Sequence, residues 1–158
     1  KNGVRAMDFE GCGLTDLTLR KVAHIVKLNT SLQTLSVSFN NVADEGTTYI
    51  GEALTANTSL VSLDLARNDI GDAGTESLCE GLKLNTTLLR LRLDFNLGIH
   101  ERGVRAISTL LGEAHTNALT ELGLSGVAVR GPSPSYLAAA LLKNTRITSL
   151  CLGGSRMG

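Results

Sequence analysis

The sequence predicts an α/β solenoid, with a parallel β-sheet on the concave face of a horseshoe arc and helices on its convex face. Three observations carry this expectation. The string Asn-Thr-(Ser/Thr)-Leu recurs at Asn29, Asn57 and Asn85, each 28 residues after the last. Each copy opens a Leu-x-x-Leu-x-Leu run, as in Leu60-Val61-Ser62-Leu63-Asp64-Leu65. Each run is followed by an apolar pair at helical spacing, such as Leu78 and Leu82. A fixed period of this length marks supersecondary units that bury their apolar faces only by stacking.

Each element follows from its pattern. Alternation of Leu63 with Leu65 puts both on one face of a short strand. Strands of successive repeats lie parallel, so their leucine face needs a cover. The cover is a helix, with Val22/Val26, Ile50/Leu54, Leu78/Leu82, Ile107/Leu111 and Leu137/Leu141 each on one helical face. A turn such as Gly71-Asp72-Ala73-Gly74 joins strand to helix. Where the chain leaves the strand stand Asn40, Asn68 and Asn96. An amide there both donates to and accepts from backbone groups that the turn leaves unpaired, which predicts a buried Asn ladder between repeats. Cys12 takes this place in the first repeat, while Val127 and Ser155 take it in the last two, so the ladder is expected to weaken there.

The pattern Leu-x-x-Leu-x-Leu-x-x-Asn/Cys-x-Leu resembles the leucine-rich repeat over essentially the whole chain. The unit length, the helix after every strand and the segment Leu65-Ala66-Arg67-Asn68-Asp69-Ile70-Gly71-Asp72-Ala73-Gly74 resemble its ribonuclease-inhibitor-like subfamily. Arrays of that kind occur in NOD-like receptors, Ran GTPase-activating protein, tropomodulin and leucine-rich subunits of the axonemal dynein regulatory complex. The resemblance implies macromolecular binding through the concave sheet or its rims, in the cytoplasm and in association with the cytoskeleton. Residues 1–158 read as a single array of about five and a half repeats; no polar cap is evident at either end, so the array is expected to be a segment of a longer solenoid.

Composition narrows the function further. The chain has no net formal charge, which argues against a nucleic-acid partner. No apolar run reaches membrane-spanning length. Cys12, Cys79 and Cys151 fall at unrelated repeat positions and are expected to be free thiols in a reducing compartment. The sequons at Asn29, Asn57 and Asn85 are products of the repeat. His24, His100 and His115 also occupy unrelated positions, and no paired cysteines suggest zinc. Asp44, Glu45 and Asp72 begin helices, where the macrodipole favours anions. No catalytic set, metal, cofactor or small-molecule substrate is expected, and the chain does not read as an enzyme.

Two places depart from the repeat. On the concave face and at the strand exit, repeats three and four carry Asp64, Arg67, Arg90, Arg92, Asp94 and Phe95, with Phe39 one repeat earlier. Arg and aromatic residues are common interface anchors, although such charges also pair across neighbouring strands. The second place is the junction of repeats four and five. Leu97-Gly98-Ile99 carries an extra residue, Glu113-Ala114-His115-Thr116-Asn117 lengthens a loop, and Arg130-Gly131-Pro132-Ser133-Pro134-Ser135 replaces the usual turn. Pro132 or Pro134 suits a first helical turn, and Ser133 is a candidate phosphorylation site. The expected function is a non-catalytic scaffold that binds protein partners within a larger eukaryotic assembly. Resemblance also offers a small-GTPase-activating regulator, with Arg67 as the candidate charge stabiliser, and the ligand-sensing array of a NOD-like receptor.

Overall fold

The computed structural model describes residues 3–113 and 117–155. The middle of the lengthened loop, Ala114-His115-Thr116, lies outside the described residues, and with it the placement of His115.

Six short strands pair in parallel and in chain order: β1 (Ala6–Asp8), β2 (Thr34–Ser36), β3 (Ser62–Asp64), β4 (Arg90–Arg92), β5 (Glu121–Gly123) and β6 (Ser149–Cys151). Between them run α1 (Asp16–Leu28), α2 (Asp44–Leu54), α3 (Asp72–Leu84), α4 (Glu101–Gly112) and α5 (Ser133–Leu141). Each helix packs on its sequence neighbours. This is the α/β leucine-rich repeat solenoid expected from the period.

The register explains the core. Met7, Leu35, Leu63, Leu91, Leu122 and Leu150 align in one row across the sheet. The four inner leucines are buried, while Met7 and Leu150 are half-buried on the edge strands. Opposite them lie the helical pairs, all buried except Leu141, which is half-buried on α5. Val42, Ile70, Ile99 and Val129 fill the bend between sheet and helix. Each fully buried Leu or Ile contributes roughly 1.5–3 kcal/mol, so the rows together, rather than any one contact, hold strand to helix.

Three rows of polar side chains stitch successive repeats together. In the first, Asn68 Nδ2 donates to the carbonyls of Val37, Leu65 and Ala66 at 2.9, 3.1 and 3.2 Å, and Asn68 Oδ1 accepts from the Val42 amide at 3.0 Å. Asn40 and Asn96 repeat this arrangement one unit either side. The amide row stops at Val127, and Ser155 Oγ then makes a single bond to the Leu124 carbonyl. In the second row, Asn57 Nδ2 donates to Val26 and Asn29 carbonyls while its Oδ1 accepts from Ser59 and Leu60 amides. Asn85 does the same one repeat on. The sequon amides are therefore spent on backbone, with Asn57 and Asn85 buried.

The third row revises the account of the helix-starting acids. Asp16 Oδ1 accepts from the Ala43 amide, Asp44 Oδ1 from Gly71, and Asp72 Oδ1 from both His100 and Gly103. Each carboxylate sits at the start of its own helix, where the macrodipole favours it, and also receives the N-cap amide of the next helix. None of the N-cap residues Ala43, Gly71 and His100 caps with its own side chain. The preceding repeat supplies the acceptor instead.

Candidate interaction surface at the strand exit

One backbone position sets the geometry of the rim. In all six repeats the residue just past the strand is left-handed: Gly11, Phe39, Arg67, Phe95, Gly126 and Gly154, with φ of 63°, 58°, 54°, 59°, 76° and 71°. Its amide donates to the next repeat, from Gly11 to Ser38, Phe39 to Ala66, Arg67 to Asp94, Phe95 to Ser125 and Gly126 to Gly153. The sheet's hydrogen bonding thus continues into the turn, and the turn demands positive φ. Glycine adopts it freely, whereas a side chain there costs roughly 1–2 kcal/mol. Repeats two to four nonetheless carry Phe, Arg and Phe.

Their side chains are only partly covered. Phe39 is 61 % exposed and Phe95 41 % exposed. Arg67 is exposed, with its Cζ 4.5 Å from the centroid of the Phe95 ring, within cation–π range. Gly126 follows on the other side of Phe95: a Cβ there would lie 2.7 Å from Phe95 Cδ1. The ring occupies the place that a side chain on Gly126 would need.

The charged residues of the sheet behave differently. Arg92 Nη1 reaches Asp64 Oδ2 at 3.0 Å, and Arg92 Nε reaches Asp94 Oδ2 at 3.1 Å. The hydrogen bond to Asp94 raises the guanidinium above its ordinary pKa. Asp94 is buried, and its Oδ1 accepts from the Ser125 amide at 2.8 Å. Asp64 Oδ1 accepts from Ala66. Asp64 and Asp94 are thus held by Arg92 and by backbone amides, while the Arg92 side chain itself stays 60 % exposed. Arg90 is exposed between Ser62 and Glu121 on the flanking strands, and among the described residues it has no ion pair. Of the seven candidate partner-binding residues, Phe39, Arg67, Arg90, Arg92 and Phe95 have exposed side chains.

The irregular junction lies beside Phe95. A groove of about 680 Å³ is lined by Phe95, Leu97, Gly126, Ala128, Arg130 and Gly154, together with His100 and Glu101. Leu97 is 70 % exposed. His100 Nδ1 donates to the Gly98 carbonyl at 2.7 Å. Arg130 is exposed and makes no ion pair among the described residues. Pro132 precedes α5 and Pro134 lies in its first turn. Ser133 is fully buried, so it is not open to phosphorylation in the folded chain. Sequence spacing alone did not show that Leu97 and Arg130 face one groove. The available signal was the exit position itself, glycine in the first and the last two repeats and bulky in the three between.

Among the described residues no cluster of three or more His, Cys, Asp and Glu is arranged to hold a metal ion. None of their helices is long and apolar enough to cross a membrane. Cys12 and Cys151 are exposed free thiols, while Cys79 is buried in α3 and desolvation pushes its pKa up to about 12.

The family model for the leucine-rich repeat matches residues 28–51 and 56–79. No curated protein sequence matches the chain. Among solved structures, the chain is similar to actin-binding site 2 of leiomodin-1, with 21 % identity, a TM-score of 0.69, and coverage of 90 % of this chain and 84 % of that one. It is also similar to the tropomodulin C-terminal domain of Caenorhabditis elegans, with 11 % identity, a TM-score of 0.70, and coverage of 91 % and 86 %. At these identities the likeness is one of fold.

Proposed function

We propose that this leucine-rich repeat protein is a non-catalytic scaffold that binds a protein partner through its strand-exit rim and the adjoining open face of the sheet. The observation that carries the proposal is the exit row. Phe39, Arg67 and Phe95 hold exposed side chains at left-handed positions where other repeats use glycine. The backbone term favours glycine there, and exposed side chains kept against that strain support a role outside the fold. An aromatic–arginine–aromatic row matches the residue types that dominate protein interfaces. Arg90, free on the sheet face, extends the surface.

The solved neighbours support a cytoskeletal setting, because the leiomodin-1 domain is described as an actin-binding site. Actin is therefore the first partner to try, by co-sedimentation with filaments and by crosslinking to monomer. Affinity capture from extract, compared between wild type and the triple variant Phe39→Gly, Arg67→Ala, Arg90→Ala, covers other partners. The expected result is that the variant loses at least about 2 kcal/mol of binding, roughly thirtyfold, while its unfolding midpoint stays at or above that of wild type. A variant that captures the same proteins with unchanged affinity would move the interface off this rim.

A further inference from the structure

The groove at the end of the exit row has a shape that the row itself explains. Arg67 stacks on Phe95, and Phe95 lies across Gly126. The next residue of the row, Gly154, is again glycine. Among the described residues, a Cβ on Gly154 would meet the Gly126 amide nitrogen alone, 4.0 Å away. The stack therefore breaks off over two glycine backbones, leaving an apolar slot walled by Phe95, Leu97 and Ala128. One more planar apolar group laid over Gly126 and Gly154 would extend it.

The charges around the slot set the chemistry of its neighbour. Arg130 borders it without an ion pair among the described residues, and Arg67 stands behind Phe95 with its guanidinium on the ring rather than on a carboxylate. Glu101, the first residue of α4, is the one acid of the lining, and Arg130 is its one guanidinium. The His100 ring is held to the Gly98 carbonyl through Nδ1. Arg130 is the charge of this lining that an anionic group of an occupant can meet.

We propose that this groove seats an aromatic side chain of a partner protein, with a carboxylate next to that aromatic in the partner's sequence meeting Arg130. The aromatic lies over the Gly126 and Gly154 backbone against the edge of Phe95, in the offset or edge-on arrangements that aromatic pairs favour. The carboxylate and the Arg130 guanidinium form a charge-assisted pair at the rim. This assignment rests on the scaffold reading above and names the partner chemistry for one part of that surface.

The test uses the whole chain and a short synthetic peptide holding one Trp between Asp and Glu, with two controls: Trp replaced by Ala, and the acids replaced by Lys. Amide shifts in nitrogen–proton NMR spectra locate binding, and titration gives affinity. The acidic Trp peptide should move the amides of Leu97, Gly126 and Gly154 and bind roughly tenfold tighter than either control. Leu97→Ser and Arg130→Glu, both at exposed positions, should each weaken it, and Arg130→Glu should reverse the preference between the acidic and lysine peptides. No binding at millimolar peptide, shifts confined to the sheet around Arg90, or an affinity indifferent to the Trp or to both substitutions would overturn the assignment. If it fails while the triple variant at Phe39, Arg67 and Arg90 still loses its partner, only the groove assignment falls.

Discussion

Asn68 shows how much one side chain does in this fold. Its amide meets three carbonyls and one backbone amide from two repeats, none of them near water. Replacing Asn68 by Ala strands a buried donor and several acceptors, each worth about 1–3 kcal/mol, so a loss of about 3 kcal/mol in urea unfolding is expected. Asn68→Asp should cost at least as much, because it turns a donor toward carbonyls into an acceptor. A loss well under 1 kcal/mol for Ala would show that water enters and takes the amide's place. Phe39 is the opposite case. It is exposed and left-handed, so Phe39→Gly should leave the protein as stable or more stable by up to about 1 kcal/mol. The Asn position was legible in the sequence because its chemistry recurs every 28 residues. The strain at Phe39 was not, because nothing in a phenylalanine announces the sign of its φ.

Among elements, the helices depend on each other for their starts. The N-cap amide of α3, on Gly71, is received by Asp44 at the start of α2 at 2.7 Å. Asp44→Ala should therefore act on the next helix as well as its own. About 1–2 kcal/mol of stability should be lost, with faster amide exchange at Gly71 and the first turn of α3 than in α1. Glu45 beside it makes only an exposed bond to the Tyr49 hydroxyl, and Glu45→Ala should stay within about 0.5 kcal/mol of wild type. Equal effects of the two substitutions would mean that the macrodipole, which both carboxylates share, is the main influence. The sequence placed both acids at the helix start correctly. Which of the two turns inward to the next repeat is a matter of helical phase and close packing, and that appeared only in three dimensions.

The whole molecule behaves as a row of nearest neighbours, since each strand pairs and each helix packs with the adjacent repeat. Cys79 is a probe at its centre. Its folded pKa of about 12, against the usual 9.0, means that the folded chain keeps the thiol proton where the unfolded chain releases it. Stability from this group is full below pH 9.0 and falls as pH rises toward 12. At neutral pH, alkylation should be fast at Cys12 and Cys151 and limited by opening of the array at Cys79, as mass spectrometry after a reagent pulse would show. Fast labelling of Cys79 would mean that the middle of the solenoid opens on its own. The sequence by itself determined the solenoid, the order and pairing of its strands, and the core rows, because these follow from a period repeated until chance is excluded. The tertiary structure decided which charged residues are spent on each other and which remain free. Asp64, Arg92 and Asp94 close into one network, while Phe95, Leu97 and Arg130 converge on a groove. Those outcomes depend on distances between repeats and on single φ angles, and periodicity carries neither.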